Sequence, residues 1–271
     1  MEHTFPLSWL LTAFAVYTAL LFLVSWITSR KADSNSYFLG NKKSPWPIVA
    51  YGMIGTSISG VTFISVPGNV MNENFFYMPL VLGFVLGYVV IARVLLPLYY
   101  KMNVTSIYTY LEKRFGFTTY RTGAAVFMVS RVLGAAVRIF MVVLVLHTFL
   151  PPGSVPFWIV SAVFMLLIFL YTFKGGVKTI IWTDVLQTTF MLLAVILTVI
   201  SITRAMDWSF GEMTRAVVDT DYSSWFNWDW SASNNAVKQF VSGIFITIVM
   251  TGLDQEMMQK NLSCKNIASA Q

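Results

Sequence analysis

One run of residues combines glycines with hydroxyl side chains in the middle of an apolar stretch. It reads Gly55-Thr56-Ser57-Ile58-Ser59-Gly60-Val61-Thr62. Each glycine weakens a helix by roughly 1 kcal/mol relative to alanine, and a break here would free carbonyl oxygens beside the hydroxyl groups. Hard cations bind such oxygen ligands, and the ends of half-helices favour ions. The run therefore indicates a cation or solute site, unless its small residues serve close packing between helices.

A second run of the same character lies near the C-terminal end of the sequence. It reads Ser242-Gly243, then Thr247, then Thr251-Gly252-Leu253-Asp254. This segment too is short and interrupted. Two interrupted segments of this kind are the arrangement expected of a transporter that is built from inverted repeats.

Three ionisable residues lie inside apolar stretches, where an unpaired charge is costly. Asp184 follows the pair Gly175-Gly176, and Arg131 and Arg138 are spaced so that they share one helix face. All three side chains are expected to face the interior of a helix bundle. Asp184 could lie on an ion pathway, or near a helix start where the helix dipole favours a carboxylate. The arginines could serve a binding site, form structural ion pairs or extend toward the inner face.

The composition indicates whether this protein folds in water or in a lipid bilayer. The sequence has 271 residues, of which 56% are hydrophobic and 11% are charged, whereas soluble domains carry roughly 25% charged residues. A lipid bilayer is therefore the expected surrounding. The formal net charge of +6 does not indicate a nucleic-acid partner, because the basic residues lie in short loops between apolar runs and not on one face. The single cysteine, Cys264, excludes an intrachain disulfide.

The apolar runs predict an all-α polytopic membrane protein with seven transmembrane helices, because a spanning helix needs about 20 mostly apolar residues. The first run is too long for the apolar core of a signal peptide and lacks a basic region before it, so we expect a retained helix. The predicted spans cover residues 8–28, 46–68, 76–98, 120–148, 156–171, 179–203 and 236–252.

The basic residues predict how these helices are oriented. With the N-terminus outside, most of the 18 lysine and arginine residues fall on the inner side, while Arg204, Arg215 and Lys238 fall outside. This asymmetry follows the positive-inside rule and predicts a multi-pass protein of the plasma (inner) membrane. The inner residues are Arg30, Lys31, Lys42, Lys43, Lys101, Lys113, Arg114, Arg121, Lys174, Lys178, Lys260 and Lys265.

Three motifs together resemble the sodium/solute symporter family, and the similarity extends from about Tyr37 to the end of the sequence. At one position the sequence departs from the family's pattern, because Gln259-Lys260 stands where the family usually has Gln-Arg. The motifs are Tyr37-Phe38-Leu39-Gly40, then Trp182-Thr183-Asp184-Val185-Leu186-Gln187, and finally Gly252-Leu253-Asp254-Gln255 with Ser263-Cys264-Lys265.

The resemblance implies the first part of a five-plus-five inverted-repeat transporter of the leucine-transporter type. Residues 8–28 would be an extra N-terminal helix, residues 46–203 the first five-helix repeat, and residues 236–271 the start of the second repeat. It further implies sodium-coupled symport of a small polar solute by alternating access. The expected partners are sodium, the solute and the lipid bilayer.

The resemblance also implies roles for particular residues. In the family, backbone carbonyls of the broken span bind sodium, and the matching residues are Gly55 and Ile58; Asp184 matches an acidic residue associated with sodium. Members that carry acidic solutes place an arginine in the fourth span, which Arg138 matches. Because an arginine fork suits a carboxylate, this match favours an anionic solute. The residues that match solute-binding positions are Ser57, Ser59, Thr62, Arg138, Thr247 and Thr251.

Other interpretations remain. Members of the family run to about twice this length, so we expect this chain to be part of a longer protein. A membrane sensor or receptor module built on a symporter-like domain is the alternative function. An integral-membrane enzyme would need paired catalytic groups at matched depth, and the sequence offers none beyond Asp184 with the two arginines.

Overall fold

The structure is a computed structural model that describes residues 7–30, 42–104, 106–151, 153–173 and 176–271. The motif that begins at Tyr37 lies outside these residues. Within them, the regular structure is helical. The helices are α1 (Leu7–Ser29), α2 (Trp46–Ser57), α3 (Gly60–Glu73), α4 (Met78–Met102), α5 (Ile107–Phe115), α6 (Phe117–Thr148), α7 (Phe157–Thr172), α8 (Gly176–Ala205), α9 (Phe210–Val218), α10 (Ala236–Gly252), α11 (Gln255–Leu262) and α12 (Ile267–Ala270).

The predicted spans are largely helical, although the second is interrupted at Ile58 and Ser59. Fewer than seven of the described helices have the length and composition of a membrane span. Four helices of the described chain meet that test, namely α1, α4, α6 and α8. Two bent pairs, α2 with α3 and α10 with α11, raise the number to six. Helix α7 is apolar but has 16 residues, fewer than the approximately 20 that a straight crossing needs. The described chain therefore has four to six candidate spans, and the seventh crossing stays a prediction.

The described residues form two compact units, and α8 passes from the first into the second between Thr183 and Asp184. The first unit contains α1, α6 and α7. There Ser25 donates a hydrogen bond to the carbonyl oxygen of Tyr171, and the hydroxyl groups of Thr28 and Thr179 are hydrogen-bonded at 2.7 Å. Such bonds between helices satisfy polar groups that lipid cannot.

The second unit is organised by a close crossing of α4 and α10. A Cβ atom built on Gly83 would collide with the carbonyl oxygen of Phe240, and one built on Gly243 would collide with that of Leu80. The two backbones are thus in direct contact, which small residues permit in membrane helices. Helix α10 runs unbroken through Gly243, and this glycine serves packing.

The second unit also contains two π-helical turns, Ile91–Leu95 in α4 and Ile248–Gly252 in α10. A Cβ on Gly252 would contact side-chain atoms of Leu95 and Ile91, so the two turns pack against each other. After its π turn the chain bends by 66° into α11. The predicted interruption of this span is therefore confirmed, and it lies at Leu253 and Asp254.

Candidate functional site

The second predicted span is broken at the hydroxyl-rich run. Helix α2 ends at Ser57, and Ile58 and Ser59 have extended backbone conformations before α3 begins at Gly60. The axes of the two halves differ by 59°. A capping box starts the second half, because the Ser59 hydroxyl accepts from the Thr62 amide at 3.1 Å and the Thr62 hydroxyl accepts from the Ser59 amide at 2.8 Å. The prediction of a broken helix at this run is confirmed.

Helix α2 lies directly against α8 just before the break. The carbonyl oxygen of Gly55 accepts a hydrogen bond from Nε2 of Gln187 at 3.1 Å. The Thr188 hydroxyl is 3.2 Å from the Tyr51 carbonyl oxygen and 2.8 Å from that of Asp184. A Cβ on Gly55 would collide with Oγ1 of Thr188, so this close approach requires glycine. The predicted sodium ligand Gly55 is therefore bonded to Gln187 in this conformation.

An ion-pair cluster lies next to this contact. The Lys260 ammonium is 2.6 Å from Oδ2 of Asp184, 2.7 Å from Oγ1 of Thr56 and 3.1 Å from Oε1 of Glu256. The Thr56 hydroxyl donates to the same Asp184 oxygen at 3.0 Å. The side chain of Lys260 is 3% exposed, that of Asp184 15% and that of Glu256 45%. Asp184 is therefore neither alone nor at the surface but paired inside the second unit.

Sequence reasoning assigned Lys260 to the inner loops, and that assignment is wrong because the residue is buried. Lys260 follows the last apolar run by several residues, which is why it resembled a loop residue. The chain bends back after Gly252, and α11 returns Lys260 toward α2 and α8. The departure from the family's Gln-Arg pattern at Gln259-Lys260 was the one signal that marked this position.

Asp254 fixes where α11 begins. Its Oδ1 accepts hydrogen bonds from the backbone amides of Glu256 at 3.0 Å and Met257 at 3.1 Å. Such a cap satisfies amide groups that otherwise lack a partner at a helix start. Because Glu256 and Lys260 both lie on α11, one turn apart, the cap also sets the position of the ammonium.

We expect Asp254→Ala to lower the free energy of unfolding by about 1 kcal/mol, through loss of the cap. The measurement is the midpoint of thermal unfolding of the purified protein in detergent. Asp254→Ser keeps a capping oxygen and is the matched control. Equal midpoints for the alanine and serine variants would show that the cap is not what holds α11.

A cavity of about 530 Å³ lies within the second unit. Ser57 and Ile58, beside the helix break, line it together with Thr251 of α10 and Tyr88 of α4; most of the remaining lining is apolar. Few polar groups in an apolar wall are typical of sites for small molecules. Three residues predicted from sequence to bind ion or solute therefore meet at one cavity.

The other predicted solute residues lie elsewhere. Ser59 and Thr62 form the capping box of α3. Thr247 is buried in the crossing of α4 and α10, where its Cβ faces Gly87. Arg138 is an exposed residue of α6, in the first unit. The roles of these residues in binding stay predictions.

The described residues contain no group of three or more histidine, cysteine, aspartate or glutamate side chains that could hold a metal ion. An alkali cation does not need such a group, because backbone carbonyl and hydroxyl oxygens can supply its ligands. Around the helix break these oxygens belong to Gly55, Thr56, Ser57 and Ile58.

Comparison with known proteins adds a family and a fold. A family model described as the sodium:solute symporter family matches residues 37–270. The sodium/sialic acid symporter NanT of Aliivibrio fischeri is 26% identical over 264 residues, which are 94% of this chain and 50% of that protein. The sodium-coupled monocarboxylate transporter 1 of Homo sapiens is 24% identical and is matched over 86% of this chain and 38% of its own length.

A solved structure has a similar fold. It is described as the substrate-bound outward-open state of a Na+-coupled sialic acid symporter, and it superposes with a TM-score of 0.79 at 24% identity. The match covers 94% of this chain and 54% of that chain. The chain thus spans between 38% and 54% of the length of these three relatives.

Proposed function

Because the chain belongs to the sodium:solute symporter family, we propose that it forms part of a sodium-coupled secondary-active symporter for a small, carboxylate-bearing solute. It is a multi-pass membrane protein of a transporter family and not an enzyme. The observation that carries the proposal is the helix break at Ile58 and Ser59, which adjoins the cavity of the second unit. Broken backbone in a membrane is tolerated where it lines such a cavity.

In this proposal sodium binds to the carbonyl oxygens of Gly55 and Ile58 and, at another stage, to Asp184. Gln187 donates one hydrogen bond to the Gly55 carbonyl oxygen, and the second lone pair of that oxygen is the one proposed to bind sodium. Each sodium charge that crosses a membrane potential of 100 mV contributes about 2.3 kcal/mol to the free energy that drives transport. One or two sodium ions can therefore concentrate a solute severalfold or more.

The solute is proposed to bind at the hydroxyl residues of the two broken spans, with its carboxylate on Arg138. Two named relatives support a carboxylate, because one carries sialic acid and another carries monocarboxylates. The proposed solute residues are Ser57, Ser59, Thr62, Arg138, Thr247 and Thr251.

The arrangement of the chain is part of the same proposal. Residues 8–28 form an extra N-terminal helix, residues 46–203 the first repeat and residues 236–271 the start of the second. The N-terminus faces the outside of the plasma (inner) membrane. The asymmetry of the basic residues supports this orientation.

The proposal is tested by uptake of labelled solutes into proteoliposomes that contain the full-length protein. We expect a sodium gradient to stimulate uptake of sialic acid or a smaller carboxylate. Arg138→Ala should lower that uptake by about 10- to 100-fold, because a hydrogen bond to a charged group contributes about 1.5–3 kcal/mol. Arg131→Ala, on the same helix face, is the matched control and should retain most of the activity.

Two results would count against the proposal. If no solute responds to the sodium gradient, the sensor or receptor alternative becomes the better explanation. If sodium drives uptake but both arginine variants behave alike, the solute carboxylate does not bind Arg138.

A further inference from the structure

The Lys260 ammonium fills a site that is made of oxygen atoms. An ammonium group has three N–H donors and no acceptor, and each donor has an oxygen partner in this cluster, on Asp184, Thr56 and Glu256. Lysine is almost never fully buried unless it is paired, and Lys260 is 2% exposed. The cluster therefore satisfies all three donors of the ammonium, and Lys260 is the cation that neutralises its carboxylates.

The same oxygens would suit a sodium ion. Carboxylate and hydroxyl oxygens are the ligands that hard cations prefer. They come from three helices, because Thr56 lies on α2 beside the first break, Asp184 on α8, and Glu256 on α11 just after the second break. Lys260 thereby joins the ends of both broken spans to α8.

Two carboxylates surround the one ammonium. The Lys260 ammonium is 2.6 Å from Oδ2 of Asp184 and 3.1 Å from Oε1 of Glu256. Glu256 lies one helical turn before Lys260 on α11 and is half-exposed. It offers the ammonium a partner if Asp184 becomes occupied. The long flexible stem of lysine permits such a movement.

We propose that Lys260 and sodium compete for Asp184. In the conformation described, the ammonium holds the carboxylate; when sodium binds there, Lys260 moves to Glu256, and its return to Asp184 expels the ion. This inference rests on the proposed function, in which Asp184 binds sodium at one stage. It assigns Lys260 the role of a positioning residue that sets sodium affinity and release.

The first test is a sodium titration of the full-length protein, with uptake and thermal unfolding as the two measurements. Lys260→Met removes the charge at similar length. It should lower the half-saturating sodium concentration about tenfold or more, because Asp184 is then always available. A merely structural lysine predicts the opposite, since disordering the cluster weakens binding. The double variant Asp184→Asn with Lys260→Met is the control and should lose the added sodium response.

The outcomes separate this inference from the proposed function. A wild-type protein that responds to sodium, with a Lys260→Met variant that needs as much sodium or more, overturns the competition. A wild-type protein that does not respond to sodium in either measurement overturns the proposed function itself.

A second test needs no variant and applies if Lys260→Met does not fold. Lys260 of the wild-type protein is labelled with an amine-reactive reagent in sodium and in choline, and the extent of modification is read by mass spectrometry. Competition predicts more labelling of Lys260 in sodium, as the ammonium moves toward the half-exposed Glu256. The exposed Lys265 is the internal control and should not change. Equal or lower labelling of Lys260 in sodium overturns the inference.

Discussion

Asp184→Asn is expected to abolish the sodium dependence of uptake and to lower the free energy of unfolding by about 3 kcal/mol, because removing one partner of a buried ion pair leaves the other charge uncompensated. The amide keeps the size of the side chain but not its charge. Lys260 is then left with Glu256, whose side chain is 45% exposed. The measurements are thermal unfolding of the purified protein and uptake as a function of sodium concentration.

The two effects have different causes, and a second variant separates them. Adding Lys260→Met to Asp184→Asn removes the unpaired ammonium, so stability should recover toward that of the wild type. Sodium activation should not recover, because the carboxylate is still missing. If Asp184→Asn alone is as stable as the wild type, the ion pair does not hold the cluster together. If it also keeps its sodium activation, Asp184 is not a sodium ligand.

Composition was enough to predict most of the helices. Apolar runs of about 20 residues have few alternatives to a helix in lipid, where every backbone polar group needs a partner within the segment. For this reason each predicted span is mostly helical where it is described, with the break at Ile58 and Ser59 as the exception. The family resemblance read from the sequence motifs is also confirmed, because the family model matches residues 37–270. The number of crossings was harder to predict, since α7 is short and two spans are bent.

The same sequence pattern had two different structural outcomes. Gly55 and Gly60 flank a real helix break, whereas Gly243 lies inside an intact helix that packs on α4. Small residues serve both purposes, because glycine weakens a helix and also lets another backbone approach. Which purpose applies depends on the neighbouring helix. A single sequence does not specify that neighbour.

The ion pair between Asp184 and Lys260 was missed for a related reason. The two residues are 76 positions apart, and Lys260 follows the last apolar run, where loop residues are expected. Its burial depends on the bend at Leu253 and Asp254. The cap at Asp254 could have been recognised, because aspartate is a preferred residue before a helix. The direction of α11 after the cap could not, since it is set by packing against α2.

Gly243→Val is expected to be the most damaging change outside the ion-pair cluster. The first atom of the new side chain would overlap the Leu80 carbonyl oxygen, and it would lie 3.0 Å from the Leu80 carbonyl carbon and 3.2 Å from Cα of Gly83. All three are backbone atoms, so no side-chain rotation relieves the overlap. Forced overpacking typically costs about 1–3 kcal/mol, and a backbone clash belongs at the upper end of this range. Thermal unfolding in detergent measures the loss.

Gly134→Val is the matched control, because a Cβ on Gly134 would have no neighbour within 4 Å. It also replaces a helix glycine by valine, so the change in helix propensity is the same in both variants. Any difference in their free energy of unfolding therefore comes from the contact between α4 and α10. The crossing matters for function as well, since α10 leads through Gly252 into α11 and so to Lys260. Separation of α4 from α10 should therefore weaken the sodium response along with stability. If Gly243→Val is as stable as Gly134→Val, α4 and α10 do not cross this closely in the membrane. The position of α11, which brings Lys260 to Asp184, would then not depend on this crossing.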